Sequence, residues 1–101
     1  MPAMTQPAQK ATLRHAVFAA ISKLAPEATA PIADATPLIG DGSVLDSMRL
    51  VELCLSLEDL AGEHGFEFDW TSEAAMSRSR SIFRTAGALA DEFVRQSQGA
   101  A

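Results

Sequence analysis

The chain has 101 residues, a formal charge of -5, 48% hydrophobic residues and 21% charged residues. This length admits one domain with one modest core and excludes a cofactor-binding domain beside a separate substrate domain. The acidic balance disfavours a nucleic-acid partner, which needs a basic face, and no apolar run approaches the length of a membrane span.

The start, Met1 to Gln9, lacks the basic region and apolar stretch of a secretory signal, and a lone cysteine, Cys54, fits a reducing compartment; both lead to the expectation of a cytoplasmic protein. Cys54 itself reads as a small buried apolar residue. From about Gln9 to Leu24, Leu13, Val17, Ile21 and Leu24 recur at helical spacing, and Pro26 closes the run. Pro26 to Asp46 holds Pro31, Pro37, Gly40 and Gly42 without periodicity, so it is predicted as a long loop pinned by Ile32, Leu38 and Ile39.

The strongest helix is predicted over Ser47–Glu63. Arg49, Glu52, Ser56, Asp59 and Glu63 form a polar stripe, while Met48, Val51, Cys54, Leu55 and Leu57, widened by Leu50, Leu53 and Leu60, form the apolar arc. Gly62 and Gly65 end it, and Phe66 and Phe68 suggest a short extended connector with Trp70 packed nearby. Ser72 to Ser77 is predicted as a short helix, Ser77 to Ser81 as a polar connector, and Thr85 as the N-cap of a last helix to Arg95 with Leu89, Phe93 and Val94 inward. The predicted layout is a single domain over 9–96 between flexible ends, 1–8 and 97–101.

Chemistry concentrates at Asp46-Ser47-Met48, where the glycine-containing loop meets the amphipathic helix. A serine there presents its hydroxyl beside free N–H groups and the positive end of the helix dipole, an environment that accepts a phosphodiester. Asp46 and Ser47 are also preferred cap residues, and Ser43-x-x-Asp46 resembles a capping box, so helix capping is the plainer reading of the dipeptide. Eight acids (Asp41, Asp46, Glu52, Glu58, Asp59, Glu63, Glu67 and Asp69) against one base, Arg49, make the middle of the chain attractive to basic surfaces.

The stretch Leu38-Ile39-Gly40-Asp41-Gly42-Ser43-Val44-Leu45-Asp46-Ser47-Met48-Arg49-Leu50-Val51-Glu52-Leu53 resembles the attachment motif of the acyl and peptidyl carrier protein family. Leu57-Glu58-Asp59, Phe66-Glu67-Phe68 and Phe83-Arg84-Thr85 with Leu89 and Phe93 continue the likeness, which covers about Leu13 to Val94. The resemblance implies an all-α, four-helix carrier bundle with a long loop between its first two helices and a short third helix. It implies a monomeric carrier, not an enzyme, with no catalytic residues and no metal. By the same resemblance, 4'-phosphopantetheine would be attached covalently to Ser47 by a phosphopantetheinyl transferase, with Asp46 orienting the transferase and cofactor. Acyl, aminoacyl or peptidyl cargo would ride as a thioester. Met48, Arg49, Glu52, Glu58 and Asp59 would meet partners: the transferase, an acyl- or aminoacyl-loading ligase, and acyl transferases or condensing enzymes of fatty-acid or secondary-metabolite synthesis.

Arg49, Leu45 before Asp46, and the long basic segment from Gly65 to Ser81 depart from the housekeeping fatty-acid carriers and suggest a specialised member. A non-enzymatic interaction module that keeps the carrier fold without an arm is the alternative. His15 and His64 with one cysteine give no zinc spacing. A Ser47–His64 pair would lie roughly 25 Å apart along one helix, which rules out this dyad and leaves a serine hydrolase, the third reading, without a base in reach. Arg78, Arg80 and Arg84 read as a solvated connector.

Overall fold

Leu13, Val17 and Ile21 step by four residues along one helical face, and all three are fully buried. The structure, a computed structural model, describes residues 7–26, 31–40 and 42–98. It is all-α: α1 Pro7–Leu24, α2 Ser47–Glu63, α3 Glu73–Ser77, α4 Ser79–Ile82 and α5 Ala86–Ser97. No strand occurs among the described residues, only an isolated bridge between Pro37 and Thr85. Among them no helix is long and apolar enough to cross a membrane.

α1 is the central helix, packing along α5 and, less extensively, along α2. Leu89, Phe93 and Val94 of α5 face inward as predicted, in one core with Leu53, Cys54, Leu57 and Ala61 of α2. α1 starts at Pro7, slightly before the predicted Gln9, because proline's fixed φ suits a first helical turn and its missing N–H costs nothing there. The predicted flexible ends otherwise fall mostly outside the described residues.

Two predictions need correction. Ser77–Ser81 is not a plain connector: Ser79–Ile82 forms a helical turn of its own, driven by burial of Ile82 and Phe83. The apolar arc of α2 is narrower than its sequence suggests. Met48, Val51 and Leu55 are 74%, 46% and 50% exposed, whereas burial on α2 is confined to Leu53, Cys54, Leu57 and Ala61.

The loop before α2 is clamped to the first turn of α5. Ala86 N–H donates to the Thr36 carbonyl at 2.8 Å, Gly87 N–H to the Asp34 carbonyl at 2.9 Å, and Leu38 N–H to the Arg84 carbonyl at 3.2 Å. Thr85 caps α5 by accepting from Ala88 N–H at 3.1 Å. Close approach is possible because Gly87 has no side chain; a Cβ there would lie 2.9 Å from both Cβ and the carbonyl oxygen of Asp34. Gly87→Ala should therefore lower stability by about 1–3 kcal/mol. Gly62→Ala, in an open helical position, should raise it by roughly 0.5 kcal/mol. Urea unfolding of both variants checks the pair; equal midpoints would remove the tight loop–helix contact.

The connector after α2 is held by α5. Phe66 and Phe68 pack their rings 5.0 and 5.5 Å from that of Phe93. Gln96 accepts from Asp69 N–H at 2.7 Å and donates to the Asp69 carbonyl at 3.0 Å. Buried Glu92 gathers Arg95, Gln96 and Arg78, with the Arg95 pair at 2.6 Å and the Arg78 pair at 3.2 Å. Arg78 is thus more than a solvated connector residue.

The Arg95 hydrogen bond, aided by Gln96 and Arg78 and opposed by burial, pulls the Glu92 carboxyl from its ordinary 4.5 down to about 2. A depressed carboxylate stabilises the fold above its unfolded value, so this contribution is whole above about pH 4.5 and is lost as pH falls through 2. Its size is on the order of 2 kcal/mol, discounted because both arginines are half-exposed. Glu92→Gln should flatten the loss of stability between pH 4.5 and 2, as read by denaturant midpoints across that window.

Candidate functional site

The turn before α2 requires a left-handed backbone at Gly40 (φ 83°) and Gly42 (φ 78°), which glycine adopts without strain. Ser43 N–H closes this turn on the Gly40 carbonyl and Val44 N–H reaches the Pro37 carbonyl, both at 3.2 Å. Leu38 and Leu45, 1% and 5% exposed, anchor the loop at both ends. Leu45 is thus a core residue. Asp41 lies outside the described residues.

Asp46 is extended (φ -85°, ψ 177°), and its carboxylate accepts from Arg49 N–H at 2.8 Å. The capping reading therefore holds for Asp46. Ser47 is instead the first helical residue; it is exposed, and among the described residues its hydroxyl has no hydrogen-bond partner. Its N–H and that of Met48 are among the first-turn donors that no intrahelical carbonyl can reach.

Helical spacing separates the remaining predicted partner residues. Met48, Glu52 and Asp59 share one exposed stripe with Leu55, at positions i, i+4, i+11 and i+7. Glu58 belongs to the neighbouring stripe, headed by Ser47 and continued through Val51 and Cys54, and accepts a hydrogen bond from the Trp70 indole N–H. Arg49 points the other way; its guanidinium donates to the Leu24 carbonyl at 3.1 Å and so caps the last turn of α1. Two predicted partner residues thus have local structural duties.

Beside the Ser47 stripe lies a half-open cleft of about 310 Å3. Leu50, Val51 and Cys54 line it from α2, Ile39 from the loop, Trp70 and Thr71 from the connector, and Met76, Ser79, Arg80 and Phe83 from the α3–α4 segment. The sequence reading does not assemble this cleft, because its walls come from four segments and only the α2 residues share a period. The pairing of Trp70 with Glu58 is likewise invisible in the sequence.

Cys54 lies at the cleft floor, 2% exposed, and burial with the nearby Glu58 charge pushes its thiol up to about 12. His15 and His64 are both exposed, and among the described residues no cluster of His, Cys, Asp or Glu could hold a metal ion. No protein-family model, curated protein or solved structure matches the chain.

At pH 8 the native Cys54 should alkylate with iodoacetamide at least ~100-fold more slowly than the unfolded chain, since the thiolate is the nucleophile and is scarce. Intact mass against time reads this rate. Labelling at the unfolded rate would mean the cleft floor is open.

Proposed function

We propose that the chain is a free-standing carrier protein of the acyl or peptidyl type, modified on Ser47 with 4'-phosphopantetheine. The observation that carries this reading is the division of labour at the start of α2: Asp46 takes the cap, which leaves the exposed Ser47 hydroxyl uncommitted beside free N–H groups. The loop-to-helix motif around it resembles the family's attachment motif. In this reading α1, α2 and α5 are the long helices of a four-helix carrier bundle, and α3 with α4 takes the place of its short third helix.

Ser47 Oγ attacks the phosphorus next to the pantetheine of coenzyme A. The new Oγ–P bond forms as the pyrophosphate P–O bond breaks, adenosine 3',5'-bisphosphate leaves, and the hydroxyl proton passes to the transferase. When attached, the arm supplies a terminal thiol that bears cargo as a thioester. The N–H groups of Ser47 and Met48 fit the phosphodiester charge, and capping by Asp46 holds the helix start in register.

Met48, Leu55, Glu52 and Asp59 suit reversible docking on basic, partly apolar surfaces of the transferase, a loading ligase, or acyl transferases and condensing enzymes. Their charges steer the encounter and their exposed apolar area adds contact. The same stripe suits an interaction module without an arm, so modification separates the two readings.

Incubation with coenzyme A, magnesium and a promiscuous phosphopantetheinyl transferase should add the mass of one phosphopantetheine to the wild type and none to Ser47→Ala. An unmodified wild type with an intact fold would leave the interaction module as the better reading.

A further inference from the structure

Met48, Val51, Leu55 and Met76 are the exposed large apolar side chains among the described residues, and they gather on one face. Val51 and Met76 stand in one lining from opposite elements, α2 and α3, and Met48 and Leu55 flank Val51 on neighbouring turns of α2. A gathered apolar patch on a small domain marks a contact surface.

Charges of opposite sign border this strip. Glu52 and Asp59 are exposed on the α2 side, in the stripe of Met48 and Leu55, and Arg80 is exposed on the α3–α4 side, in the same lining as Met76. Among the described residues none of these three makes an ion pair, whereas nearby Arg78 is held by Glu92. A uniformly basic partner covering the whole face would be repelled by Arg80, and a uniformly acidic one by the α2 stripe. A second copy, turned about a two-fold axis through the apolar strip, meets neither penalty. Its Arg80 falls on the acidic side, its acids fall on the basic side, and apolar residues meet at the centre.

We propose that the chain forms a weak two-fold dimer through this face, with Val51 and Met76 at its apolar centre and Arg80 of each copy paired with Glu52 of the other. From Met48 to Asp59 the face runs roughly 17 Å along α2, a length that fits the low end of interface sizes. The charge of -5 on each copy opposes association further, so the dissociation constant should be on the order of 100 µM. The dimer stands apart from the carrier reading and departs from the monomer that the family resemblance implies. One corollary rests on that reading: the dimer covers Met48 beside Ser47, so the monomer is the form that the transferase modifies.

The full chain with Ser47→Ala, which carries no arm, separates self-association from carrier chemistry. Sedimentation velocity from about 10 µM to 1 mM should show the mass rising from one chain to two and stopping there. In this background Arg80→Glu and Glu52→Arg each set like charges together twice, and each should raise the dissociation constant at least ~tenfold. Mixed in equal amounts, the two variants should pair as tightly as the parent, because every contact between positions 80 and 52 then joins opposite charges. Met76→Gln should weaken the dimer severalfold. Circular dichroism checks that the variants are folded, as expected for exposed positions. A chain still monomeric at the highest concentration overturns the proposal, as do species that grow beyond two copies, association indifferent to either charge reversal, or a mixture no tighter than each variant alone. A failed mass shift on Ser47 of the wild type sinks the carrier reading alone and leaves this measurement to decide the dimer.

Discussion

The first turn of α5 satisfies its own exposed donors with the backbone of the loop that leads to Ser47. Ala86 and Gly87 donate to the Thr36 and Asp34 carbonyls, Ala88 donates to the Thr85 hydroxyl, and nothing is left over for a ligand. Buried backbone groups must be paired, so these bonds fix where the loop crosses α5. From there Leu38 and Leu45 sink into the core and set the entry angle of α2. Arg14 reinforces the crossing by meeting Asp34 and Asp91, but those carboxylates are exposed and such pairs add little. Geometry at Ser47 thus depends on a contact with residues about forty positions later, and on Gly87 lacking a side chain.

α2 divides three duties among adjacent stripes. Leu53, Leu57 and Ala61 are fully buried and hold the helix to the core. Truncating one of these leucines would remove roughly 2–5 kcal/mol, most of what a domain of this size can spare. Val51 and Cys54 wall the cleft below Ser47. Met48, Glu52, Leu55 and Asp59 face solvent, where exposed apolar area adds less to folding than buried area and lowers solubility. Arg49 belongs to none of these; by capping α1 it ties the start of α2 to the end of its neighbour.

The sequence discloses much of this fold because its helices carry strong local signals. Ser47–Glu63 has the predicted bounds, since Asp46 is a good cap and the glycines at its end break the pattern. Thr85 is the predicted cap of α5, and Leu89, Phe93 and Val94 are its predicted core residues. α4 is missed because Ser79-Arg80-Ser81 is polar and only burial of Ile82 and Phe83 makes the turn helical. The exposure of Met48, Val51 and Leu55 is missed for a related reason: periodicity tells which residues share a face, not whether a neighbour covers it. The place of Ser47 at the exposed start of α2 is legible in the sequence, whereas the cleft is not, because Trp70, Met76, Arg80 and Phe83 come together only through tertiary packing.

The cleft walls are secured by different forces, and this bears on how the site responds to conditions. Trp70 sits on a connector fastened by the Phe66–Phe93 and Phe68–Phe93 ring contacts and by the paired Gln96–Asp69 hydrogen bonds, none of which requires a charge, and its indole alone leans on one, the Glu58 carboxylate. Ring packing and neutral hydrogen bonds are insensitive to pH and salt. The opposite wall, α3 and α4, is two short helices that would not be stable alone; Ile82 and Phe83 bury it, and Arg78 ties it to Glu92. Protonating Glu92 removes the charge that holds Arg78 while leaving the connector in place. As pH falls through about 2, loss of the Glu92 charge therefore weakens the tie between the α3–α4 wall and α5, whereas Leu53, Leu57 and Ala61 keep the α2 wall fixed by apolar packing that carries no charge.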